Sequence, residues 1–145
     1  VAVCYDKRNK KILIMKRADN REKLPDCWEF GCAKGTLETS LVERIEEEYR
    51  KDFGINIKVQ CNKDRKDIQP IPLAMYEVDG DQGKDKGIIT MAEIVGDFDI
   101  DNFSGVKHSK VRWIEEREIE QFSEPAVDDF KNTLKIVFDK LKEMN

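Results

Sequence analysis

Residues 40–53 constrain the fold of this chain more than any other stretch. Their apolar side chains are Leu41, Val42, Ile45, Tyr49 and Phe53. At 100° per residue these fall within an arc of about 120°, the mark of a helix laid against a core. Gly54 stands where a helix C-terminal cap belongs. Residues 1–5 and 11–16 read as strands around a polar turn, 18–27 as loop and 28–30 as a short strand. After the helix, residues 55–61, 71–78, 87–95 and 111–114 read as strands. Residues 115–121 read as a short helix and 125–144 as a long closing helix. Helices separated by a strand meander imply α/β layering.

The size, 145 residues, suits a single domain over 1–145. A formal charge of -4 argues against wholesale binding to a nucleic acid duplex or an anionic membrane. No apolar run approaches the roughly 20 residues of a membrane span. The charge is uneven: residues 1–34 hold nine Lys/Arg and five Asp/Glu, residues 35–55 three and six. A basic segment beside an acidic one suits a phosphate-metal site, and also arises by chance. Cys4, Cys27, Cys32 and Cys61 show no CxxC spacing and His108 is the single histidine, so zinc is not expected. The cysteines are expected as reduced thiols of a cytoplasmic protein. The polar run at 79–86 reads as a hairpin turn. A calcium loop of the EF-hand kind would need Gly where Lys84 stands and Glu where Thr90 stands.

Trp28-Glu29-Phe30, the loop after it and the capped acidic helix together resemble the approach and box of the Nudix hydrolases. The family box is written G-x5-E-x7-R-E-U-x-E-E-x-G-U, with U a bulky apolar residue. With its last Gly on Gly54, its final apolar position falls on Ile55, and Glu48 matches a metal-binding Glu. Asp52 stands as a shorter acid. Glu47 replaces the Arg, Lys51 another metal-binding Glu, Thr39 the leading Glu and Ala33 the first Gly. The resemblance runs from the first strand to the strand at Val111. It implies an α/β/α sandwich with a mixed β-sheet and, for activity, hydrolysis of a nucleoside diphosphate linked to another moiety with Mg2+ or Mn2+. Glu48 and Asp52 would bind metal, Glu47 would assist as ligand or base, and Arg17, Glu29 and Lys34 would meet the substrate. The partner implied is a nucleotide or other diphosphate small molecule, and a homodimer is left open.

The side chains themselves allow more than one reading. Glu48 and Asp52 lie four apart and so share a helix face. Asp52 falls within the apolar arc and needs a partner. Arg44 and Lys51 can both reach Glu48, and an ammonium beside a divalent ion repels it, so metal affinity should be weak. The alternatives are a solvated helix laced with ion pairs, a metal site on Glu48 and Asp52 aided by Glu47 or Glu43, or Lys51 touching phosphate. Glu29 reads equally as a strand ion pair, Trp28 more as core than as a stacking platform. Cys32 is expected as a small buried thiol, and His108 as incidental to the chemistry. A protein that keeps the fold, binds a nucleotide or a protein partner and catalyses little is the second functional expectation.

Overall fold

The structure, a computed structural model, describes residues 1–33, 40–62, 69–80, 83–100, 103 and 105–144. Strands β1 (Ala2–Asp6) and β2 (Lys11–Arg17) form an antiparallel pair. Strand β3 (Trp28–Glu29) adds to the end of β2. Helix α1 (Leu41–Phe53) follows, then β4 (Ile57–Val59), β5 (Cys61–Asn62), β6 (Gln69–Pro70), β7 (Ala74–Gly80), β8 (Gly83–Ile94) and β9 (His108–Glu115). A single 3-10 turn (Glu116–Glu118) and helix α2 (Phe130–Glu143) close the chain.

The main sheet runs β3-β2-β1-β8-β4, with β7 on β8 and β9 on β2. Among the described strands β1 and β8 pair in parallel and the other pairs are antiparallel, so the sheet is mixed. Alternation along β2 shows why its apolar run is unbroken. Ile12 and Ile14 face a core with α2, while Leu13 and Met15 face a core with α1, and all four are fully buried. A strand covered on both faces has no polar face to display. In β1, Val3 and Tyr5 take the α2 side and Ala2 and Cys4 the α1 side. The result is the α/β/α sandwich that the resemblance implied. Among the described residues no helix is long and apolar enough to cross a membrane.

Helix α1 is fixed at both ends by local chemistry. The Ser40 hydroxyl accepts from the Glu43 N–H at 3.2 Å, a cap of about 1 kcal/mol. Gly54 takes φ 67°, where a side chain would be strained, and its N–H donates to the Arg50 carbonyl at 2.9 Å. Valine, isoleucine and aromatic side chains at 42, 45, 49 and 53 are the buried face.

Three elements differ from the sequence expectation. The strand expected over 55–61 is divided: Ile57–Val59 joins the main sheet, while Cys61–Asn62 pairs with β6 in a second small sheet. The arms of the hairpin run into the supposed turn, to Gly80 and from Gly83. The closing helix begins at Phe130 and not near 125. Trp28 donates to the Pro125 carbonyl at 3.0 Å and Val127 donates to that of Trp28 at 3.0 Å, so this stretch extends the sheet beside β3. The chain then turns through Asp129 at φ 62° before the helix starts.

Candidate functional site

Helix α1 carries Glu48 and Asp52 one turn apart, with side chains 15% and 16% exposed. Arg44 reaches Glu48, with Nη2 3.3 Å from Oε1, and also lies 3.6 Å from Glu47, whose side chain is more than half exposed. Lys51 is exposed and makes no ion pair among the described residues, so Arg44, not Lys51, is the cation held against Glu48. Asp52 faces Lys107, with Nζ 3.9 Å from Oδ2, too long for a direct hydrogen bond. Sequence reading did not single out Lys107. Its place just ahead of the strand that pairs with the end of β2 is the signal that could have found it.

The sheet side of the site is more tightly built. Between Lys16 and Arg17 the β2–β9 register shifts, which sets Arg17 opposite His108. Arg17 Nη1 donates to both oxygens of Glu29, at 3.0 and 3.3 Å, and its Nε donates to the Lys23 carbonyl at 3.0 Å. His108 Nε2 lies 2.6 Å from Glu29 Oε1, and its ring packs 5.0 Å from that of Phe53. All three polar side chains are largely buried. Glu29 is therefore an ion-paired strand residue, and His108 is part of the same cluster and not incidental to it. Arg17 is committed to Glu29 and Lys23. Lys34, expected beside the phosphates, lies outside the described residues, as does Thr39.

Tyr49 joins the two sides. Its hydroxyl accepts from the Gly31 N–H at 3.1 Å and donates to the Ala2 carbonyl at 2.5 Å. A Cβ on Gly31 would lie 2.5 Å from the Tyr49 ring, so only glycine lets strand and helix approach this closely. Burial holds the Tyr49 phenol well above its ordinary range. Cys32 corrects an expectation: it is exposed, one residue past Gly31, whose bridge to Ala2 ends the pairing here. Its thiol is still pushed up, first by desolvation and then by the charge of Glu29. At neutral pH it stays a thiol, not an activated nucleophile.

Among the described residues, no group of three or more His, Cys, Asp or Glu is placed to hold a metal ion. Glu48 and Asp52 nevertheless supply hard oxygen donors, and the Arg44 contact engages only Oε1 of Glu48. Magnesium is commonly held by one or two carboxylates together with substrate phosphates. The donor set fits an ion that arrives with phosphate, not one caged by protein alone.

No protein-family model matches the sequence, and no curated protein matches it. Solved structures do match. A NUDIX-family hydrolase from Clostridium perfringens superposes with TM-score 0.69 at 11% identity, over 99% of this chain and 95% of that one. A NUDIX hydrolase from Nitrosomonas europaea gives 0.67 at 11% identity, over 96% and 86%. An ADP-ribose pyrophosphatase from Streptococcus suis gives 0.59 at 10% identity, over 96% and 87%. Strand order, the capped helix and these superpositions together give the chain the Nudix hydrolase fold over nearly its whole length.

Proposed function

We propose that this chain is a Nudix-type hydrolase of a nucleoside diphosphate linked to another moiety, dependent on Mg2+ or Mn2+ recruited with the substrate. The observation that carries the reading is the pair Glu48 and Asp52, one turn apart, largely shielded, each with a single cation contact among the described residues. Carboxylates in that state can exchange a cationic side chain for a metal-phosphate ligand. Glu48 and Asp52 hold the metal, and Glu47 is the further carboxylate that assists as ligand or base. Lys107 and Lys34 meet phosphate. Arg17 and Glu29 bound the substrate side as one unit. Water adds across the P–O–P bridge and leaves two phosphate products. When bound, the metal neutralises the diphosphate charge. A neighbour in fold is an ADP-ribose pyrophosphatase, a substrate type in keeping with this reading.

A second reading rests on a specific observation. Arg44 already sits 3.3 Å from Glu48, and Lys107 faces Asp52. If those contacts persist, the protein recognises a diphosphate ligand and turns it over little. One experiment separates the two. The protein is incubated with nucleoside triphosphates, sugar nucleotides, ADP-ribose and dinucleoside polyphosphates, with and without Mg2+ or Mn2+, beside Glu48→Gln. Metal-dependent product that the substitution reduces by at least tenfold supports the hydrolase. Saturable binding with no product supports the binding protein. Neither product nor binding sinks both.

A further inference from the structure

Strand β9 is an edge of the main sheet, and its outer side is open. Among the described residues β9 pairs with β2 alone, and no backbone hydrogen bond outside that pairing involves residues 109–114. Alternate N–H and C=O groups on the other side of β9 are therefore a template for a further strand. A cavity of about 550 Å³ runs along this edge beside residues 109–113.

Side chains alternate along a strand, so the two flanks of the edge differ in chemistry. On the α1 side, Val111 and Trp113 stand with Ile100 and Phe103, all partly exposed and packed on the core beneath α1. On the α2 side stand Lys110 and Arg112. The guanidinium of Arg112 is countered by Glu124 at 3.1 Å and Glu118 at 3.6 Å. Lys110 is exposed and makes no ion pair among the described residues. Its cross-strand partner in β2 is another lysine, Lys16, which makes none either. Like charges directly opposite each other destabilise a sheet, and an acid laid beside both would remove that cost. One flank thus offers apolar surface and the other an uncompensated positive charge.

A second copy of this chain does not suit the edge. A two-fold axis between two antiparallel β9 strands keeps like faces together, so residues of the same parity oppose each other. Centred on residue 110, 111 or 112, such a pairing sets Lys110 against Lys110, Lys110 against Arg112, or Arg112 against Arg112 of the other copy. We propose that the β9 edge receives an extended segment of another protein in which acidic and apolar residues alternate. The backbone of that segment completes the ladder. Its acids reach Lys110 and Lys16, and its apolar residues lie on Val111, Trp113 and Phe103. The site is independent of the hydrolytic reading, since it uses none of the acids of α1.

The probes are short synthetic peptides, blocked at both ends, in which Glu and Val alternate. Amide shifts and hydrogen exchange of residues 109–113 are followed during titration. The alternating peptide should bind saturably and protect those amides. A peptide of the same composition with every Glu first should bind at least tenfold more weakly, as should one N-methylated along the pairing edge. Lys110→Glu changes an exposed side chain and leaves the core intact. It should weaken binding of the Glu–Val peptide at least tenfold and take a Lys–Val peptide in its place. Glu48→Gln should leave peptide affinity within twofold, and a larger loss would move the contact to α1 and overturn the assignment. No saturable binding overturns it, as does equal binding of the alternating and block peptides, or of wild type and Lys110→Glu. Protection of the β9 amides that grows with the concentration of the free protein would give the edge to a second copy and overturn it too.

Discussion

Two charged clusters, one on the sheet and one on helix α1, make up the candidate site, and they are built differently. On the sheet, Glu29 takes two bonds from Arg17 and a 2.6 Å contact from His108, with all three side chains largely buried. On helix α1, Glu48 and Asp52 each meet one cation, at 3.3 and 3.9 Å, and Arg44 divides its charge between Glu47 and Glu48. A buried pair in which one Arg17 nitrogen donates to both carboxylate oxygens cannot be opened cheaply, because the partner left behind is a desolvated charge. The helix carboxylates are about as shielded as Glu29, but their cations Arg44 and Lys107 are 30% and 54% exposed, and a single contact from an exposed cation is worth little and exchanges readily. The sheet cluster is therefore scaffold, while the helix cluster is where an incoming cation or phosphate can compete.

The sharpest way to break this contrast is Glu29→Ala. It strands Arg17 and the only histidine in a shielded place, and should cost about 3 kcal/mol in urea unfolding, in line with loss of one partner from a buried pair. Glu29→Gln keeps the shape and one acceptor and should cost less. A loss near that of Glu47→Ala, whose side chain is over half exposed, would put the two clusters on the same footing and remove the distinction.

High pH tests the shared core behind both clusters. Burial pushes the Cys4 thiol up to about 12 from an ordinary 9.0, and raises Tyr5 and Tyr49 from 10.0. These groups ionise more easily in the unfolded chain than in the folded one. The unfolded state therefore holds fewer protons above about pH 9, and stability falls as pH rises from there toward 12. The urea midpoint should drop steadily as pH rises above about 9, with Cys4→Ala softening the drop relative to its own neutral-pH value. A midpoint that stays level to pH 11 would contradict the burial of these groups.

Tyr49→Phe tests the tie between the regions. It removes the acceptor of the Gly31 N–H and the donor to the Ala2 carbonyl inside a dry site, and should cost about 2 kcal/mol. Activity or ligand affinity should fall as well, since Gly31 and Ala2 lose their tie to α1. An unchanged unfolding midpoint would mean that the hydroxyl finds no such pair of partners in solution.

How much of this was legible in the sequence depends on range. Helix α1 was readable because its signals are local: a 3.6-residue apolar period, Ser40 at one end and Gly54 at the other. Strand β2 was readable because four consecutive apolar residues leave it no exposed face. The helix-side ion pair of Arg44 with Glu48 is one of two that spacing allows, and the structure makes it Arg44 and not Lys51. Spacing says nothing of the sheet cluster. Arg17, Glu29 and His108 lie up to 91 positions apart (108 − 17), and only the bulge in the β2–β9 register brings them together. The late start of α2 was hidden for the same reason, since residues 125–127 keep a helix-compatible pattern while their backbone bonds go to Trp28. The exposed Cys32 was misplaced because its neighbours Phe30 and Gly31 are buried and it is not.

The smallest expected effect on stability is also the one that bears most on function. Arg44→Ala and Lys107→Ala remove cations whose pairs are solvent-accessible, and each should change unfolding free energy by no more than about 1 kcal/mol. Their consequence should appear instead in metal dependence. With Arg44 gone, Glu48 faces a divalent ion without a competing guanidinium, so half-maximal Mg2+ for either turnover or nucleotide binding should fall severalfold. Lys107→Ala should show the opposite balance, a gain in free-metal affinity at Asp52 offset by weaker phosphate binding, and so a higher KM. Isothermal titration with Mg2+ alone, then with a nucleoside diphosphate in excess, distinguishes the two lysine effects. If Arg44→Ala leaves the metal titration where it was, the helix cluster is as fixed as the sheet cluster, and Glu48 belongs to the architecture of α1 and not to its chemistry.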